Sequence, residues 1–285
     1  MPTTSGVDGF RLRYDITGTG PPVVLLHGWP GDRSDHRLVV PLLAASHRVV
    51  VPDLRGFGES DKHPADPAEH YGAAGQARSV VGLIEELGLE RPVLAGYDIG
   101  SRIAQRVALT RPDLVGGLVL SPPLPGIGER VLGERAQREF WYQTFHRLPL
   151  AEHLVDGKTE AVRDYLLHFW THWSGPDFRP DVDHLVPGYA APGAFTASIA
   201  WYRAGSGTAA VVAAERTPDP ADRVAAPTIV LWPEHDPLFP REWSDRLGDF
   251  FGDLDLRPVD GVGHFVPLEC PGDVADAVTE LGPSR

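Results

Sequence analysis

Apolar residues along this chain fall into two spacings. Residues 23–26, 48–51, 93–96, 114–120 and 227–232 are short, nearly unbroken apolar runs bounded by glycine, proline or charge. Runs of this kind predict strands covered on both faces, as in a parallel sheet. Residues 10–16 alternate apolar with polar, which predicts a half-exposed early strand, and 254–257 predict a short late one. Between them, 73–87, 102–109, 241–250 and 272–281 carry helical spacing. Strand and helix alternate through the first half, the signature of a mostly parallel sheet flanked by helices on both faces.

Near residue 122 the pattern changes. Pro122-Pro123-Leu124-Pro125-Gly126 predicts a stiff linker, and 138–154, 158–173 and 194–204 then read as helices with little strand character. The expected organisation is an α/β core over 1–122, an inserted helical cap over 123–210, and the rest of the core over 211–285. The cap is rich in aromatics, among them Phe140, Trp141, Tyr142, Phe169, Trp173, Trp201 and Tyr202. Some of these are expected to line its underside.

Composition narrows the function classes. A net charge of −13 with no basic run argues against a phosphate-backbone partner, so no nucleic acid is expected. The single Cys270 excludes an intramolecular disulfide framework and fits a reducing compartment; within Glu269-Cys270-Pro271 it reads as a small packed residue. No apolar stretch approaches the about 20 residues that span a bilayer, and no basic-then-apolar leader opens the chain. A cytoplasmic protein, monomer or homodimer, is the expectation.

Candidate chemistry centres on Gly96-Tyr97-Asp98-Ile99-Gly100, where an apolar run meets a glycine-flanked turn and then a helix. Such an elbow lifts one side chain above the sheet. Serine is the usual occupant, whereas an aspartate is already ionised near neutral pH and attacks carbon without first losing a proton. Taken alone, the pattern equally fits an N-capping aspartate. His27-Gly28-Trp29-Pro30-Gly31 follows the 23–26 run. His27 is expected to hold this loop by hydrogen bonding, while the backbone N–H groups of Trp29 and Ile99 are placed to form an oxyanion hole. The charged segment 53–61 reads as ion pairing and turn capping. Asp236 follows the 227–232 run and His264 the short 254–257 strand, giving the order Asp98, Asp236, His264, which is nucleophile, acid, base.

Over essentially its whole length the chain resembles the α/β-hydrolase fold, and within it the epoxide hydrolases. The residues that carry this are the 27–30 loop, the 96–100 elbow, Trp232-Pro233-Glu234-His235-Asp236-Pro237, Gly263-His264-Phe265, and two cap segments, Phe140-Trp141-Tyr142-Gln143 and Ala200-Trp201-Tyr202-Arg203. The resemblance implies that Tyr142 and Tyr202 point at a small-molecule epoxide and protonate its oxygen, since a phenol of pKa about 10 donates to a far more basic alkoxide. It further implies that Asp98 attacks carbon to form an ester, that His264 activates the water that hydrolyses it, and that Asp236 orients His264. No metal or organic cofactor is called for.

The nearest rival is a dehalogenase with the same aspartate. Haloalkane dehalogenases usually place tryptophan directly after the nucleophile, where this chain has Ile99. Fluoroacetate dehalogenases resemble it at Arg102 and depart at Ile99 and Phe140. His168 and His172 have the spacing of a zinc pair without the accompanying glutamate, and read as surface or packing. A non-catalytic small-molecule binder on the same fold is the remaining alternative.

Overall fold

The computed structural model describes residues 2–282; residue 1 and residues 283–285, at the outer edges of the expected core segments, lie outside them. Seven strands form one sheet in the order β1-β3-β2-β4-β5-β6-β7. They are β1 (Tyr14–Thr17), β2 (Pro22–Leu26), β3 (Arg48–Pro52), β4 (Val93–Gly96), β5 (Gly117–Leu120), β6 (Thr228–Pro233) and β7 (Leu254–Val259). Only β1 runs antiparallel, against β3; the other pairings are parallel. The fold is therefore α/β, as the alternation predicted.

Period-two geometry explains why the runs are apolar throughout. Val24, Leu26, Val50, Leu94, Leu118, Leu120, Val230 and Trp232 point into one buried layer, and Val23, Leu25, Val49, Val51, Val93, Ala95, Val119, Ile229 and Leu231 into the other. The first layer is closed by α1 (Ala73–Glu86) and α2 (Ile99–Thr110), the second by the closing helix Pro271–Leu281 through Val274, Ala275, Ala277 and Val278. In α1 the buried positions Gln76, Ala77, Val80, Leu83 and Ile84 recur at helical spacing, so burial of one stripe drives the element.

Several predicted elements differ from the observed ones. Residues 10–16 give a strand only from Tyr14, and 114–120 only from Gly117, because Pro112–Leu114 forms a 3-10 turn. The helix expected over 138–154 is three, Glu134–Glu139, Trp141–His146 and Pro149–Val155. Pro149 has no N–H to donate and holds Leu148 extended, at ψ 143, which ends the preceding turn. The helix expected over 194–204 breaks at Ile199 into Ala194–Ser198 and Ala200–Arg203. Over 241–250 only two 3-10 turns form, Arg241–Ser244 and Leu247–Asp249. There the spacing of Trp243, Leu247 and Phe250 satisfies burial without a continuous helix, and Gly248 weakens helical order between them.

The segment between β5 and β6 is helical and sits against the loop after β2. Trp170 Nε1 donates to the Pro30 carbonyl at 2.7 Å and Tyr189 Oη to that of Gly31 at 2.8 Å. No helix among the described residues is long and apolar enough to cross a membrane.

Candidate active site

β4 lies between β2 and β5, where the chain's path across the sheet reverses direction, and ligands in open α/β sheets bind outside the carboxyl ends of strands at such points. Asp98 follows β4 at φ 49°, a conformation costly for a non-glycine residue. Neither flanking glycine takes a positive φ; each is needed for close approach. A Cβ on Gly96 would stand 2.6 Å from the Gly100 carbonyl carbon, and one on Gly100 2.3 Å from the Leu26 carbonyl oxygen. The Asp98 N–H donates to the Pro122 carbonyl at 3.0 Å, tying the bend to the end of β5.

The Asp98 side chain makes no capping bond to α2, so the alternative reading as a helix cap fails. It accepts instead from the Trp29 N–H, 2.8 Å from Oδ1, while Oδ2 lies 3.3 Å from His264 Nε2. His264 Nδ1 is 2.8 Å from Asp236 Oδ2, and Asp236 Oδ1 accepts from the Leu238 N–H at 2.8 Å. All three are buried, at 5%, 1% and 2% exposure for Asp98, His264 and Asp236. Glu234 and His235 are exposed, so the third position of that run supplies the buried carboxylate.

Electrostatics couple the three groups. Burial by itself would depress the His264 imidazole, but the Asp236 and Asp98 carboxylates outweigh it and push the ring up to about 10. Both carboxylates thus favour the protonated ring. Any loss of charge on Asp98 would remove one of the two carboxylates that hold that proton and make the ring a better base.

Tyr142 and Tyr202 line the same narrow chamber as Asp98, with their rings nearly perpendicular and 5.5 Å apart. Burial raises both phenols well above their ordinary range, with the Asp98 carboxylate adding to each, so both stay protonated donors. Trp29 stacks on Tyr142 at 5.5 Å and meets Tyr202 edge-on at 5.8 Å. One residue thus offers its amide to Asp98 and its ring to both tyrosines. Gln143 Nε2 stands 3.3 Å from Tyr142 Oη and 3.3 Å from Thr208 Oγ1. Ile99 is buried and lines the chamber beside Asp98, and of the two expected amide donors Trp29 is the one hydrogen-bonded to the Asp98 carboxylate.

A family model for the alpha/beta hydrolase fold matches residues 21–271. The chain belongs to the α/β-hydrolase fold family. Among curated proteins, this α/β hydrolase is 28% identical to the soluble epoxide hydrolase of Corynebacterium sp. (strain C12), over 96% of this chain and 94% of that protein. It is 31% identical to a fluoroacetate dehalogenase of Burkholderia sp over 70% of each. Among solved structures it is similar to the epoxide hydrolase CorEH, with TM-score 0.81 and 27% identity over 96% of this chain and 95% of that one.

Two supports of the α/β-hydrolase site carry no signal in the sequence. Glu269 accepts from the N–H groups of Gly263 and Gly175 at 2.8 Å each and of Phe265 at 3.1 Å, pinning the His264 loop to the end of the Thr159–Trp173 helix. Tyr97 Oη donates to buried Asp35 at 2.5 Å beneath the elbow, where burial pushes the carboxyl well up. His27 does hold its loop: the Leu54 N–H donates to Nε2 at 3.0 Å, leaving Nδ1–H for the Gly28 carbonyl at 2.9 Å. Asp53 accepts from the N–H groups of Arg33 and Glu59 and pairs with the Arg33 side chain. His168 and His172 lie on the surface, the latter 2.7 Å from Glu139, and Cys270 is buried with its thiol pushed up to about 12.

Proposed function

We propose that this hydrolase opens an epoxide to a vicinal diol through a covalent ester on Asp98. The observation that carries the reading is one chamber lined by a carboxylate and two phenols, Asp98, Tyr142 and Tyr202. Epoxide opening needs a nucleophile behind carbon and a proton donor at oxygen. In the proposed sequence, a carboxylate oxygen of Asp98 bonds to a ring carbon as that carbon's bond to the ring oxygen breaks. The alkoxide takes a proton from Tyr142 or Tyr202.

Charge leaves Asp98 as it arrives on the substrate oxygen, so at the moment they must donate the phenols, raised mainly by burial, lose the anion that adds to that shift. His264 then passes its proton to the phenolate left by ring opening, and the neutral imidazole removes a proton from water, whose hydroxide adds to the ester carbonyl. The oxyanion so formed is met by the Trp29 and Ile99 amides, each such donor being worth about 3 kcal/mol of barrier. Collapse releases the diol and restores the Asp98 carboxylate, with Asp236 stabilising the imidazolium. The scheme draws on the chain's own side chains and backbone amides and on water, and the helical 123–210 segment acts as the cap that closes the chamber.

The fluoroacetate dehalogenase likeness favours halide displacement by the same carboxylate as a second reading. Against it, Ile99 brings no side-chain N–H to a departing halide. Diol formation from aryl and alkyl epoxides, and fluoride or chloride release from fluoroacetate and a chloroalkane, are to be measured on one preparation. Halide without diol would reverse the ranking. A single turnover in heavy-oxygen water with excess enzyme tests the ester: the first diol carries light oxygen from Asp98, and solvent label in it would rule the ester out.

A further inference from the structure

The reacting chamber is nearly closed. Its free space is about 10 Å3, room for about one water molecule. Immediately beyond it lies a cleft of about 680 Å3, within the range of small-molecule sites. Arg102, Trp201 and Ser206 line both spaces, so they form the partition between them.

The cleft wall is mixed: Arg102, Arg106, Glu215, Arg216 and Asp222 line it, and beside them runs an apolar strip that is left open to solvent. The helix Thr208–Ala214, sequence TAAVVAA, has no charged residue, yet only Thr208 in it is buried. Ala210, Val211 and Ala214 face the cleft. Opposite them on α2, Leu109 is 51% exposed and lines the same cleft, with Phe250 and Phe251 at its side. An uncharged helix left open against an exposed leucine is surface suited to a ligand rather than to water.

We propose that the substrate is a terminal epoxide with an unbranched apolar chain. Its ring sits against Asp98, and its tail passes between Arg102 and Trp201 to lie in the cleft along Val211 and Leu109. This rests on the epoxide reading and deepens it. The small chamber leaves no space for a bulky group on both ring carbons, and Arg102, Trp201 and Ser206 must part for the ring to reach Asp98. The substituent leaves through the wall shared with the cleft.

The test is kcat/KM over 1,2-epoxybutane, 1,2-epoxyoctane and 1,2-epoxydodecane. Burial of a methylene is worth about 0.8 kcal/mol, or about fourfold, so a rise of at least a hundredfold from the four-carbon to the twelve-carbon epoxide is expected. Leu109→Asp, at an exposed position, should remove most of that rise and leave epoxybutane turnover within about twofold. Ala210→Trp, which narrows the cleft, should do the same. A flat chain-length series, or equal losses for short and long epoxides in both variants, overturns the proposal.

Calorimetric binding of dodecanamide against butanamide separates the two readings. Tighter binding of the long amide, lost in Leu109→Asp, upholds the tail site even if no epoxide is turned over, in which case the epoxide reading alone fails. Equal binding of the two amides counts against the tail site.

Discussion

The two walls of the site are built by different means. On the sheet side, Asp98, Asp236 and His264 stand after strands whose partners fix them, and each has one backbone or carboxylate contact at hydrogen-bond distance. On the helical side, Tyr142 and Tyr202 ride on helices of six and four residues, too short to be stable alone. What holds those is aromatic packing: Trp29, His146, Phe169 and Trp173 surround Tyr142, and His146 lies 4.7 Å from the ring of Tyr202. In the proposed mechanism the sheet side supplies charges of which each serves a different step. The helical side places two donors of one kind, so loss of either leaves the other.

That contrast is testable from its strongest consequence downward. Asp98→Ala is expected to lower diol formation by at least about 10^4-fold, since no second carboxylate lines the chamber. Residual turnover above that level in a steady-state assay would mean that the sheet side is not the nucleophilic wall. His264→Gln should leave the first ring opening within about tenfold while slowing ester hydrolysis about 10^3-fold or more. Mass spectrometry after one turnover then finds the adduct on Asp98, and an adduct elsewhere would break the assignment.

The helical side should respond in smaller steps. Tyr142→Phe and Tyr202→Phe are each expected to slow ring opening about tenfold to a hundredfold, and the double variant by more than either. Stopped-flow measurement of ester formation checks this; if one single variant matched the double, the two donors would not be equivalent. Gly100→Ala addresses the elbow itself. Its Cβ would press on the Leu26 carbonyl, and a loss of about 2 to 4 kcal/mol of stability is expected by denaturant titration.

The last expectation concerns pH. His264 in the folded protein is raised to about 10, above the ordinary histidine value of about 6.5. Its ion pairs therefore stabilise the fold fully below about pH 6.5, and that contribution is lost as pH rises through about 10. Denaturation midpoints should fall between pH 7 and 10 in the parent protein and change less in His264→Gln. Parallel curves would show that the pair does not rest as an ion triad.

Much of the sheet side was legible because its signals are local. Each of Asp98, Asp236 and His264 stands in a short turn just after a strand, β4, β6 and β7, and that placement with the chain order suggested the three. The helical side was less so. The 138–154 spacing conceals the break at Pro149, and tyrosines at 142 and 202 differ from ordinary core aromatics only by what faces them. Glu269 and Asp35 were invisible for the same reason, since a carboxylate that clamps backbone amides or caps a buried phenol looks like any other acidic residue until the chain is folded.

The sequence by itself determined the sheet, because side chains alternating between two buried faces leave few other ways to cover them, and it determined which reactive groups follow the strands. Tertiary structure alone decided that Asp98 turns away from its helix toward Trp29 and His264, that the two tyrosines meet over it, and that an apolar cleft opens beside them. Those outcomes depend on contacts between residues far apart in the chain, and no local spacing encodes them.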